Sequence, residues 1–165
     1  EIEIVKKTIQ KYFSSPYFPI DIVSSLSNIK FLPFNAVQKK LEANLSLSSI
    51  LLNHPGGSTG YKLKQKNTSF VYLCDNEFEE HQRKTLTTFA KNADLLIWDG
   101  MYTEKELADK KGWGHSSIEQ AIDFNKDASC KKILITHHAP HRSDKELDQI
   151  ANGLPELFKL SSYTY

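Results

Sequence analysis

Apolar residues follow two different periods along this chain. Near the start, Ile2, Val5, Ile9 and Phe13 recur at helical spacing, which predicts a helix over 2–13. Pro16 ends it, because proline cannot continue the backbone ladder and disfavours helix at the residue before it. Pro16–Pro19 reads as a turn or extended link, Asp21–Leu26 as a short helix, Asn28–Pro33 as a strand and Ala36–Glu42 as a polar excursion. From Ser46 onward the period shortens. Ser46–Asn53 reads as a strand, Pro55–Gly60 as a loop, and Tyr61–Lys64 with Ser69–Cys74 as a hairpin around Gln65–Thr68. An amphipathic helix follows over 79–92, with Leu86, Phe89 and Ala90 on one face, then a strand at Leu95–Trp98. Thr103 with Glu106 forms a capping box for a helix over 104–111. Ser116 or Ser117 caps a helix over 118–127, Ile133–Thr136 is a strand, and Ser143 with Glu146 caps a helix over 144–152. Ser161–Tyr165 reads as the beginning of a further strand. Strands alternating with helices predict an α/β fold.

Four of the apolar runs stop at a residue able to hold a metal. They end at His54, Asp75, Asp99 and His137. In layered α/β proteins, ligands gather just past strand ends, so the pattern suggests a metal site along one edge of a sheet.

Composition narrows the picture without deciding it. The chain has 165 residues and a formal net charge of +1, which leaves no global electrostatic footprint for nucleic acid or anionic membrane. No apolar run approaches the length that spans a bilayer, and the start, Glu1–Lys7, lacks the apolar region of a signal peptide. Cys74 and Cys130 form no disulfide framework, which points to a reducing, cytoplasmic setting. Both ends are abrupt, and the expectation is one domain over 1–165 that is the C-terminal portion of a longer one.

Each candidate admits a plain alternative. His54-Pro55-Gly56-Gly57 sets an imidazole at a strand end before a loop of little side-chain bulk, as a ligand or simply closing a turn. Asp75 is a hard oxygen ligand or a helix cap. In His137-His138-Ala139-Pro140-His141, Pro140 opposes a helix, so His137 is the expected ligand, with His138 and His141 supporting it or facing substrate. His115, in Gly112–Ser117 before a capped helix, is placed to give a proton to a leaving oxygen, or belongs to a loop packed by Trp113. Asp99 orients a metal-bound histidine or bonds turn amides. The chain has neither a GxxxxGK[ST] phosphate loop nor a GxSxG elbow.

Taken in order, His54-Pro55-Gly56-Gly57, Tyr72–Glu77, Ala93–Asp99, Gly112–Ser116 and Ile135–His138 resemble the later half of metallo-β-lactamase-fold hydrolases. The resemblance runs from about residue 12 to residue 150 and is strongest to phosphodiesterase-like members related to the tRNA 3′-processing endonucleases. It implies part of a four-layer αβ/βα sandwich without its N-terminal strands. It also implies a centre of two divalent ions, usually zinc, with manganese or iron as alternatives. His54 and His137 would each ligate one ion and Asp75 would bridge them, with Asp75 and His115 catalytic and Asp99, His138 and His141 in support. A bridging hydroxide would attack a small-molecule or nucleotide phosphodiester, or a related ester.

Two departures from the family pattern shape these expectations. The His-x-His-x-Asp-His motif, which precedes the matching region in the family, does not occur in this chain. Trp98-Asp99-Gly100-Met101 stands where the nuclease relatives carry His-Glu-Ala-Thr, which argues against tRNA processing and moves the proton donor to His115. The first expectation is therefore a hydrolase half that is inactive alone, completed by an N-terminal half or by homo-oligomerisation, with no membrane partner. The alternatives are a degenerate, non-catalytic relative that binds a ligand or partner, and a plain α/β interaction domain.

Overall fold

The computed structural model describes residues 2–22, 29–41 and 44–161. The chain divides into two compact units, Glu1–Glu42 and Ala43–Tyr165. The first contains helix α1 (Ile2–Tyr12) and helix α2 (Phe34–Lys40), with a turn after α1 in which Tyr17 and Phe18 donate backbone bonds to Ser14. Helix α2 overlaps the stretch read as a polar excursion: Pro33 precedes it, and Phe34, Val37 and Leu41 share a short apolar stripe at helical spacing. Residues 29–33 carry no strand, contrary to expectation. The short helix expected over 21–26 falls almost entirely outside the described residues, as does the strand expected after Ser161.

The second unit is built on a six-stranded sheet in the order β1 to β6. Its strands are β1 (Leu45–Leu52), β2 (Ser58–Gln65), β3 (Thr68–Leu73), β4 (Leu95–Asp99), β5 (Ile133–Thr136) and β6 (Phe158–Leu160). The first three pair antiparallel as a meander, and β3 to β6 run parallel. Strands β1 and β3 therefore point the same way, and the C-terminal ends of β1, β3, β4 and β5 share one edge. That shared edge is what brings four distant residues near one another.

Side chains alternate across the sheet. One face, carrying Ile50, Leu52, Val71, Leu73, Leu96, Trp98, Ile133 and Ile135, forms the core with helices α3 (Arg83–Ala90) and α5 (Ile118–Ala128). Phe78, Trp98 and Phe124 stack there at centroid distances of 5.4, 5.5 and 4.9 Å. On the opposite face Leu51, Tyr61, Leu63 and Tyr72 are exposed.

Helix starts follow local chemistry. Thr103 caps α4 (Glu104–Leu107), Ser117 caps α5 and Ser143 caps α6 (Asp144–Gly153), each with a reciprocal box to Glu106, Gln120 and Glu146 respectively. Helix α4 is shorter than the expected 104–111, because i to i+3 bonds from Asp109 and Lys110 tighten the chain into turns. Before α3, a single 3₁₀ turn at Glu80–Gln82 carries its own box between Glu79 and Gln82.

Candidate metal centre

Asp75 lies two residues beyond the end of β3, Asp99 is the last residue of β4, and His137 follows the last residue of β5. His115 comes from the loop before α5. One ligand atom from each of these four lies within 4.8 Å of the other three. Asp75 and His137 leave their strands with φ of 54° and 61°. That left-handed conformation is uncommon outside glycine, and such backbone strain gathers at functional sites.

Asp99 is the buried hub. Its Oδ2 lies 2.8 Å from His115 Nδ1 and 3.9 Å from His137 Nδ1, and it accepts from the Asn76 amide at 3.3 Å. Its Oδ1 accepts from the Met101 amide at 3.2 Å. Burial pushes the Asp99 carboxyl above the usual carboxylate range, against the opposing pull of the two imidazoles. His137 Nδ1 is 3.4 Å from Asp75 Oδ1, and the His115 and His137 rings stand 4.7 Å apart.

Of the residues expected to act, Asp75, Asp99, His115 and His137 are brought together. His54 lies outside this group of four. Its ring meets His115 edge-on at 5.7 Å, and its Nδ1 accepts from the Gly56 amide at 3.2 Å. His138 is buried behind the site, with Nε2 3.3 Å from Ser161 Oγ, and burial lowers its pKa below the usual imidazole value. His141 is exposed and apart from the cluster.

The hydrogen bonds that hold the site together gave no signal in the sequence. Glu77 is buried, and its carboxylate accepts from the amides of Gly112 at 2.8 Å and Gly114 at 2.9 Å, fastening the loop that presents His115. Gly114 sits at φ +88°, and a Cβ there would stand 2.3 Å from the His54 ring. Ser116 Oγ bonds the Asn76 carbonyl and accepts from the Phe78 amide, so Ser117 is left as the helix cap. The Asn76 side chain accepts from the Asn53 amide at 2.9 Å and ties β1 to the turn after β3. These bonds join residues far apart in sequence, which only the fold reveals. Trp98 faces the core and donates Nε1–H to the Ser117 carbonyl at 3.1 Å.

The donors suit a divalent ion. Carboxylate oxygen and imidazole nitrogen on one partly exposed edge are the ligand types that zinc, manganese and iron accept. A cavity of about 570 Å³ lies elsewhere, beside Phe78, Glu79, Leu107 and Lys111. No helix among the described residues is long and apolar enough to cross a membrane.

Comparison with known proteins agrees with this architecture. A family model described as a beta-lactamase superfamily domain matches residues 15–138. A ribonuclease Z of Staphylococcus epidermidis is 28% identical over 148 residues, covering 85% of this chain and 44% of the relative. A ribonuclease Z of Treponema denticola is 29% identical over 98 residues, covering 58% of this chain and 30% of the relative. The chain thus spans less than half the length of these curated relatives. Among solved structures, a metallo-β-lactamase fold protein of Bacillus subtilis superposes with a TM-score of 0.60 at 17% identity, over 76% of this chain and 50% of that one. A long-form RNase Z from yeast superposes with a TM-score of 0.61 at 17% identity, over 77% of this chain and 18% of that one. The six-stranded sheet, its flanking helices and the match over most of the sequence agree, and this chain belongs to the metallo-β-lactamase-fold proteins of the beta-lactamase superfamily.

Proposed function

We propose that this chain supplies the C-terminal half of a metal-dependent hydrolase site that cleaves phosphodiesters, with RNA as the substrate class. The observation that carries this reading is the convergence of Asp75, Asp99, His115 and His137 at one strand edge, with donor atoms within 4.8 Å. The relatives named ribonuclease Z support the choice of RNA, against the expectation drawn from Trp98. That expectation loses its force because Trp98 is a buried core residue, 1% exposed, while His115 and His137 supply the imidazoles of the site.

In this reading Asp75 and His137 hold a divalent ion, joined by His54 from the end of β1. A divalent ion held there supplies Lewis acidity and brings the pKa of water toward neutrality. Asp99 accepts the Nδ1–H of His115 and fixes the ring, so Nε2 is the nitrogen left to pass a proton to the leaving oxygen. Glu77 keeps the loop from moving the ring away.

A second ion would draw on the ligands of a His-x-His-x-Asp-His motif, which this sequence does not contain. They come, in this reading, from a segment of the intact protein outside this sequence, and the chain by itself does not turn over substrate. The test is metal content and hydrolysis of a 3′-extended RNA by the full-length gene product. Bound metal with turnover supports the proposal. A metal-free protein with no turnover contradicts it and leaves the degenerate binding protein as the reading.

A further inference from the structure

We infer that Trp113 is a stacking platform for a nucleobase of single-stranded RNA, set beside the metal centre; this rests on the phosphodiesterase reading above. Large apolar side chains of this unit are mostly covered, yet Trp113 is 57% exposed. Its loop leads directly into His115, two residues on, which puts the two Cα atoms no more than about 7.6 Å apart.

The main chain on both sides of Trp113 is tied down. Gly112 and Gly114 flank Trp113 at φ +84° and +88°, which only glycine adopts readily. Both of their amides donate to the buried Glu77 carboxylate, at 2.8 and 2.9 Å. The Trp113 amide closes a turn on the Lys110 carbonyl at 3.2 Å.

The charge around the ring fits the same ligand. The Lys110 ammonium sits 4.3 Å from the ring centroid, a cation–π contact that orders the indole. Lys111 is exposed next to it. With Lys110 over one face of the ring, the other face is the one a base would stack on, and the ammonium lies within reach of the attached phosphate; base–aromatic stacking is a main source of affinity for single strands. A base on Trp113 would set the adjoining phosphodiester toward His115. That makes Trp113 a positioning residue for the substrate and gives it no part in the bond-breaking step.

The experiment uses the chain and the full-length protein. The chain has two tryptophans, and Trp98 is buried, so quenching by an added ligand reports on Trp113. Short single-stranded oligoadenylate is expected to quench the chain's fluorescence, with AMP alone binding far more weakly. In the full-length protein, Trp113→Ala is expected to weaken oligoadenylate binding about tenfold, with metal content unchanged, while Trp113→Phe retains most of it. Equal binding by wild type and Trp113→Ala would overturn the inference, whether or not the protein holds metal. AMP binding as tightly as the oligonucleotide would overturn the assignment to a strand. A metal-free protein would instead count against the hydrolase reading, and Trp113 binding is scored independently of it.

Discussion

Asp99 Oδ2 and His115 Nδ1 stand 2.8 Å apart, with the carboxylate wholly buried and the imidazole side chain 13% exposed. Sixteen residues separate them in sequence, and the pair forms because β4 ends where the loop before α5 returns to the strand edge. A buried carboxylate bonded to a ring nitrogen fixes both the tautomer and the orientation of that ring.

Asn in place of Asp99 keeps the shape and removes the charge that favours the Nδ1–H tautomer. Asp99→Asn in the full-length protein is expected to lower kcat by about 10- to 100-fold with the fold intact. Steady-state kinetics and far-UV circular dichroism check this together. An unchanged kcat would detach Asp99 from the chemistry.

Gly114 and Gly112 separate two effects in one loop. Gly112→Ala meets nothing within 4 Å and carries only the left-handed backbone penalty, about 1 kcal/mol. Gly114→Ala adds contacts of 2.3 and 2.8 Å with His54 and Pro55, so it is expected to be the more destabilising of the two. Denaturant titration of both variants measures the difference, and equal losses would mean that the loop relaxes around the methyl.

Trp98 tests whether its place near the end of β4 serves the core alone. It is 1% exposed, stacked on Phe78 and Phe124, and bonded to Ser117. Trp98→His is expected to lose about 3–5 kcal/mol of stability, in the range of other large core truncations, and to bind no additional metal. A stable variant with raised metal content would show that the position belongs to the site.

Cys74 sets an alkaline limit. Burial, reinforced by the nearby Asp99 charge, pushes its thiol up from 9.0 to about 12. Between those values the unfolded chain releases a proton that the folded chain keeps, so the folded state binds more protons and stability falls as pH rises. Melting temperature is expected to decline from about pH 9 upward, less steeply in Cys74→Ala. A wild-type slope equal to that of Cys74→Ala would contradict this assignment. At neutral pH, neither Cys74 nor Cys130 should react with a thiol reagent until the chain unfolds, since both are buried.

The sequence showed most of the second unit plainly. Strands β1, β3, β4 and β5 were legible because each is a short apolar run, and α4 to α6 because their caps are local motifs. Helix α2 was missed although Phe34, Val37 and Leu41 stand at helical spacing, because the run is only about two turns long and is crowded with polar residues. Strand β6 was missed because Phe158–Leu160 is too short to show alternation. The site was legible only in part. Strand ends pointed to His54, Asp75, Asp99 and His137, but pairing order, which decides which ends meet, is a property of the sheet. Nothing local announced the Glu77 clamp or the left-handed turns at Asp75 and His137.

In the proposed centre Asp75 and His137 hold a divalent ion, and Asp99 and His115 stand beside it as the proton-passing pair. Zinc and manganese binding to the purified chain, read by calorimetry, tests this assignment most directly. Wild type and His141→Ala are expected to bind, because His141 is exposed and apart from the cluster, while Asp75→Asn and His137→Ala are expected to lose the ion. Equal binding by wild type and His137→Ala, or no binding by wild type, would contradict the account.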